Sequence, residues 1–216
     1  MGFRALFQRV RGAWHSSPTP DPYLRWESWY GPFTRPDDIT ATAITGLDKE
    51  SGAIHRFIVA FVDDSRSKGP ISPLLLAGEY IRVVPAYEEW LGLNRDEIVT
   101  TGLGEVDVVW DYELEPPSTL GSYKLILSQS MFEHLLDPYR HICDLYGLLE
   151  PGGTLIIQTH TPGFHYHRYP IDTLRFFPDW FETVALRLGA TVTGKLVGDD
   201  RILYRLQKPH ASDSGQ

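Results

Sequence analysis

Cysteine is almost missing from this chain. Cys143 is the only one in 216 residues, which excludes an intramolecular disulfide framework and a cysteine-rich zinc site and makes the reducing cytoplasm the expected compartment. Long apolar runs are missing too: none approaches the roughly 18 residues that a membrane span requires. The start, Met1-Gly2-Phe3-Arg4 leading into Ala5-Leu6-Phe7-Gln8-Arg9-Val10-Arg11, has neither the apolar core nor the cleavage site of a secretory leader. Leu6 stands where N-myristoylation needs Ser or Thr. Basic excess is absent as well. A formal net charge of −8 argues against a nucleic-acid partner, because affinity for phosphate is mostly electrostatic. The sequence holds no internal repeat and no low-complexity segment. Its 42% hydrophobic and 22% charged residues are those of a chain that folds.

What is present changes along the chain. Phe3, Leu6, Phe7, Val10 and Trp14 fall at helical spacing with Arg4, Arg9 and Arg11 between them. This reads as a packing helix, with peripheral contact to a membrane surface or a partner as the alternative. Residues 15–37 combine Pro18, Pro20, Pro22, Pro32 and Pro36 with Trp26, Trp29, Tyr30 and Phe33. Proline at that density prevents long helices, and the aromatics need something to cover, so an ordered flap is expected. The expected organisation is an N-terminal extension over 1–52, one main domain over 53–208 and a flexible tail over 209–216.

The main domain alternates strands and helices. Ile54, Phe57, Ile58, Phe61 and Val62 predict a helix over 53–66, although the run from Arg56 to Val62 also suits a strand. Leu74-Leu75-Leu76-Ala77, ending at Gly78, reads as a buried parallel strand. A helix over 84–93 and strands over 97–100, 106–110 and 123–128 follow. Asp137-Pro138 is an N-cap with proline at the first helical position, and Pro151-Gly152-Gly153 stops that helix before a strand at 154–159. Pro178 to Leu188 reads as a helix closed by Gly189, and 191–197 with 201–207 as a hairpin turned at Gly198-Asp199-Asp200. The class is therefore α/β: a Rossmann-like, doubly wound, mostly parallel sheet with an antiparallel C-terminal hairpin. Ligands of such sheets lie beyond the carboxyl ends of the strands, which gathers Gly78, Glu79, Thr100, Asp111, Ser128 and His160 around one crevice.

Three motifs then point to a family. Tyr123-Lys124-Leu125-Ile126-Leu127-Ser128 with Phe132-Glu133-His134-Leu135 and Asp137-Pro138, followed by Leu148-Leu149-Glu150-Pro151-Gly152-Gly153-Thr154-Leu155, resembles the corresponding stretches of class I S-adenosylmethionine-dependent methyltransferases. His167-Arg168-Tyr169-Pro170-Ile171-Asp172-Thr173-Leu174-Arg175-Phe176 is similar to a segment of one subgroup. The resemblance covers about a third of the chain and implies a sheet of about seven strands with a reversed final strand. It implies S-adenosylmethionine as cofactor, with Gly78, Glu79, Asp111, Ser128 and Gln129 along its cleft.

Two places depart from the pattern. The loop after the first strand, Ala77-Gly78-Glu79-Tyr80-Ile81-Arg82, has one glycine where the family has several. The second strand ends near Thr100-Thr101, with no acid before Glu105 to accept the ribose hydroxyls. A charge-assisted hydrogen bond of that kind contributes about 1.5–3 kcal/mol.

The resemblance implies that Glu133-His134 faces the transferring methyl, and a neutral imidazole there can accept a proton from a hydroxyl. The loop from Thr159 to Pro170 holds His160, His165 and His167, three of the eight histidines. His165 and His167 share a face if the loop is extended. With Glu133 or His134 they supply the donor types of a divalent-metal site, although Ser130 stands where a related pattern has a further carboxylate. A packing role, with His167, Asp172 and Arg175 tying down the backbone, is the plainer reading.

The sequence thus predicts methyl transfer to an oxygen, less readily a nitrogen or carbon, of a small molecule or glycan. Glu133, His134, His165 and His167 are the candidate catalytic residues. Two other readings stand beside it: metal-assisted chemistry on the same fold, and a catalytically silent binding partner.

Overall fold

The computed structural model describes residues 53–198 and 200–211. The N-terminal helix, the proline-rich flap and the last residues of the tail lie outside the described residues. The chain forms α1 (Ala53–Lys68), β1 (Leu74–Ala77), α2 (Val84–Leu91), β2 (Ile98–Gly102), β3 (Val108–Val109), β4 (Tyr123–Gln129), α3 (Pro138–Gly147), β5 (Leu149–His160), α4 (Pro178–Leu188), β6 (Thr191–Gly198) and β7 (Arg201–Gln207). The seven strands make one sheet in the order β3-β2-β1-β4-β5-β7-β6. β1 to β5 run parallel, and β7 inserts antiparallel between β5 and β6. This is the doubly wound sheet with a C-terminal hairpin that the sequence predicts.

Side-chain alternation divides the core into two faces. Leu74, Leu76, Leu125, Leu127, Ile156 and Leu203 pack with Ile58, Val62, Val84 and Leu91 of α1 and α2. The residues between them, Leu75, Ile126, Leu155, Ile157, Ile202 and Tyr204, pack with Ile142 and Leu145 of α3 and Phe181 and Val184 of α4. A strand buried on both faces reads as a continuous apolar run because neither side meets water.

Three boundaries differ from the sequence expectation, each for a local reason. α2 stops at Leu91, because Gly92 takes a left-handed conformation (φ 65°) and bonds back to Glu88. β3 shrinks to two residues. There the Asp107 carboxylate accepts bonds from Thr100 N and Oγ1, both at 2.9 Å, in place of a further ladder bond. β5 begins at Leu149, which already pairs with Tyr123, and the register shifts before Leu125 pairs with Thr154. Gly152, at φ 76°, accommodates the turn inside that irregularity.

The order of strands reverses between β1 and β4, whose carboxyl ends diverge into opposite crossovers. An open crevice is created there by topology alone.

Candidate active site

A cavity of about 480 Å³ occupies that crevice, bounded by Gly78 after β1, Gly102 at the end of β2, Asp111 after β3, and Met131 and His134 after β4. Its volume falls in the range of small-molecule pockets. Gly78 sits at φ 94°, and a Cβ there would lie 2.7 Å from Met131 Cγ. Only glycine meets such a backbone without strain. β2 runs out in Gly102-Leu103-Gly104, so the lining carboxylates, Asp111 and Glu113, both come from the segment after β3. Glu113 accepts a 2.6 Å bond from Leu136 N, which ties that segment to the turn after β4. Between them Tyr112 is buried and donates its hydroxyl to Thr101 O at 2.8 Å; burial pushes its ionisation well up, so it remains a donor. The hydroxyls of Tyr80 and Tyr169, both lining the cavity, meet in a short hydrogen bond that joins the loop after β1 to the loop after β5.

Beside the cavity lies a charged cluster. Phe132–His134 form a single 3₁₀ turn, all three buried. Phe132 enters the core among Phe176, Trp180 and Phe181, and the neighbouring Glu133 has no exposed surface. Glu133 Oε2 accepts the Thr159 hydroxyl at 2.6 Å. His160 Nδ1 lies 2.6 Å from Oε1, off the axis of the ring N–H, so the contact is more ionic than a well-aligned hydrogen bond. His134 Nε2 and His167 Nε2 each stand 3.7 Å from the same oxygen. Burial alone would raise the Glu133 pKa; the hydrogen bonds and charge of His160, with Thr159, outweigh it and hold the carboxyl below its ordinary value. Glu133 is therefore an anion in the interior.

The rest of the loop is built to hold this cluster. Thr173 N donates to Glu133 O at 2.8 Å, and Thr173 Oγ1 to Leu135 O at 2.7 Å. Asp172 accepts from His167 N at 2.7 Å and from both terminal nitrogens of Arg175 at 2.5 and 2.8 Å. The Arg175 hydrogen bonds hold the Asp172 carboxyl far below the usual range. Arg175 also donates to His165 O at 3.1 Å. Thr173 thus works as a clasp between loop and turn.

The fold brings together Glu133, His134 and His167 of the candidate catalytic residues. His165 stands apart: it is exposed and stacks on Phe164 at 4.4 Å between ring centres. Of the candidate cofactor residues, Gly78 and Asp111 line the cavity. Glu79 and Gln129 form a separate polar group, in which Gln129 Nε2 donates to Tyr87 Oη at 2.9 Å and to Glu79 Oε1 at 3.4 Å. Burial pushes the Glu79 carboxyl up. Ser128 is fully buried in β4, its hydroxyl unpartnered. Ser130, at φ 47°, turns its hydroxyl to Gln158 and takes no part in the cluster. Sequence reasoning did not find the direct contact of His160 with Glu133 or the role of Glu113. Parallel pairing of Ser128 with Ile157 was the available signal for the first, since it sets the end of β5 beside the turn that follows β4.

No family model matches the sequence, and no curated protein matches it by sequence. Solved structures do match. The CurJ carbon methyltransferase is similar over 74% of this chain at 15% identity, with a TM-score of 0.55. The CcbJ methyltransferase from Streptomyces caelestis is similar over 72% of this chain and 89% of its own, at 13% identity and a TM-score of 0.55. The 1,6-didemethyltoxoflavin-N1-methyltransferase of Burkholderia thailandensis, solved with 1,6-didemethyltoxoflavin and S-adenosylhomocysteine, is similar over 74% of this chain and 80% of its own, at 10% identity and a TM-score of 0.55. The chain spans 56% of the CurJ chain. The protein has the class I methyltransferase fold. Among the described residues no helix is long and apolar enough to cross a membrane.

Proposed function

We propose that the protein is an S-adenosylmethionine-dependent methyltransferase acting on an oxygen of a small molecule or glycan, with the acceptor held under the loop between β5 and α4. The observation that carries this reading is the cavity at the topological switch point, with Gly78 at φ 94° on one side and the buried Glu133–His134 turn on the other. Bound there, S-adenosylmethionine supplies an electrophilic methyl group. The residues fit it: a wall without a side chain at Gly78, apolar surface from Leu103, Val106 and Met131, and two carboxylates, Asp111 and Glu113, to accept hydrogen bonds. The chain's own part is positioning, which can be worth several kcal/mol of the barrier, and the exclusion of water by the Tyr80–Tyr169 contact. His134 Nδ1 lies against Ile171 O, a carbonyl that can only accept, so the ring proton stays on Nδ1. Its Nε2 lone pair is then free to take the proton of an acceptor hydroxyl, with anionic Glu133 stabilising the imidazolium that forms.

The testing experiment is calorimetric titration of the full chain with S-adenosylmethionine and S-adenosylhomocysteine. Micromolar binding, about −8 kcal/mol, is expected. Gly78→Ala is expected to weaken it about tenfold or more, because a side chain at φ 94° is strained at a cost of order 1–3 kcal/mol. Absence of binding to the wild type would overturn the reading.

A further inference from the structure

The Glu133 cluster gathers more donor atoms than methyl transfer requires. His134 Nδ1 is held by Ile171 O. His167 Nδ1 faces the Asp172 carboxylate at 3.4 Å and His165 O at 3.3 Å, both acceptors. In the neutral form of each ring the proton therefore belongs on Nδ1, which leaves Nε2 as the donor atom for a ligand. Both ring nitrogens lie 3.7 Å from Glu133 Oε1, a buried oxygen that also has His160 Nδ1 at 2.6 Å. One donor atom from each of the three residues lies within 4.8 Å of the other two. A carboxylate and two imidazoles gathered this closely make the donor set of a transition-metal site.

We infer that Glu133, His134 and His167 bind a divalent transition-metal ion, with zinc the redox-silent choice. Imidazole and carboxylate donors in a two-to-one ratio suit borderline ions such as zinc or cobalt, and not magnesium or calcium, which prefer all-oxygen sites. Bonds of roughly 2.0–2.1 Å to zinc set ligand atoms roughly 3.3 Å apart in a tetrahedron, so the observed spacing of 3.7 Å from each ring to the carboxylate, and up to 4.8 Å within the group, needs contraction. His167 can supply it, being partly exposed on a loop while the other two are buried. The outer contacts are already those of a metal centre, in which each ligating histidine donates its second ring nitrogen to a carbonyl or carboxylate and the ligating carboxylate is itself hydrogen-bonded. Thr159 and His160 supply the latter for Glu133. Three protein ligands leave coordination positions open, so with the ion in place the cluster would hold an acceptor oxygen through the metal instead of taking its proton at a ring nitrogen. This inference concerns the same site as the methyl-transfer reading but does not depend on it.

The test uses chelator-treated full chain titrated with cobalt(II), followed by the visible absorption of the ion, with no S-adenosylmethionine present. One ion per chain is expected, displaced by zinc and not by a large excess of magnesium. His167→Ala and His134→Ala should each weaken uptake at least tenfold. His165→Ala, which alters an exposed ring outside the cluster, should leave it unchanged. Thermal unfolding of each variant confirms that the domain is intact. Failure of the wild type to take up cobalt, or uptake lost equally in His165→Ala, would overturn the assignment. The cofactor titration, run on metal-free protein, reports separately on the methyl-transfer reading.

Discussion

Replacing His141 by leucine is expected to make the protein more stable, and increasingly so as the solution is acidified. His141 is fully buried in α3, and neither ring nitrogen has a partner. Around it lie Tyr112, Trp110 and Phe132, with ring centres at 4.3, 5.2 and 5.4 Å. Burial, reinforced by the Arg140 charge, lowers its pKa to about 3. The native state thus holds the neutral ring, while the unfolded chain protonates near the ordinary value of about 6.5. Above that value neither state gains a proton and the titration has no effect on stability. As pH falls below it, the unfolded state binds a proton that the native state refuses, and stability is lost at about 1.4 kcal/mol per pH unit until the folded pKa is reached. Urea unfolding at pH 7 and at pH 5 measures this directly. Wild type should lose about 2 kcal/mol between them through this residue, and His141→Leu should not. At neutral pH the leucine variant should be equal or better, because removing orphaned polar atoms from an apolar cage relieves a desolvation cost of about 1–3 kcal/mol. Equal acid slopes in the two proteins would show that His141 is not held neutral.

Glu133→Ala is expected to act in the opposite direction. The carboxylate is fully buried, accepts the Thr159 hydroxyl and lies 2.6 Å from His160 Nδ1. Its removal leaves those groups buried without their anion, a class of change that costs about 3–5 kcal/mol. Its folded pKa is depressed, so the stability it contributes is present above the unfolded value of about 4.3 and is lost as pH falls through the folded value. The gap between wild type and Glu133→Ala, measured in metal-free protein, should therefore be widest near neutral pH and should narrow in strong acid. Glu133→Gln, which keeps an acceptor for Thr159 but not the charge, should fall between the two. A gap that stays constant across this range would mean that the residue matters for its shape and not for its ionisation.

Much of the scaffold was legible because the physics that forms it is local. β1, β4 and β5 announce themselves as apolar runs, α3 by its cap and proline, and α4 by Pro178 and Gly189. The two-residue β3 was not legible, since its truncation comes from Asp107 reaching Thr100 across the sheet. In the site, Glu133, His134 and His167 could be picked out by residue type and order. Their convergence on a single oxygen could not, because it depends on the Thr173 clasp and the Asp172–Arg175 pair folding the loop back. His141 was open to a stricter reading. It occupies the buried stripe of α3 with Pro138, Ile142 and Leu145, and the helical period alone places it inside.

The two margins of the sheet carry a consequence for self-association. Among the described residues the sheet ends at β3 on one side and β6 on the other. A foreign strand arriving at β3 would find only Val108 and Val109 to pair with, too few rungs to hold it. At β6 the ladder slips between Val192 and Gly194, and the exposed Lys195 projects beside that slip, paired with Glu182. A very short margin and a bulged margin bearing a lysine are two of the ways in which proteins keep sheets from zipping to one another. Concentrated or partly heated samples of this domain should therefore resist edge-to-edge polymerisation, although the sheet between those margins is rich in leucine and isoleucine.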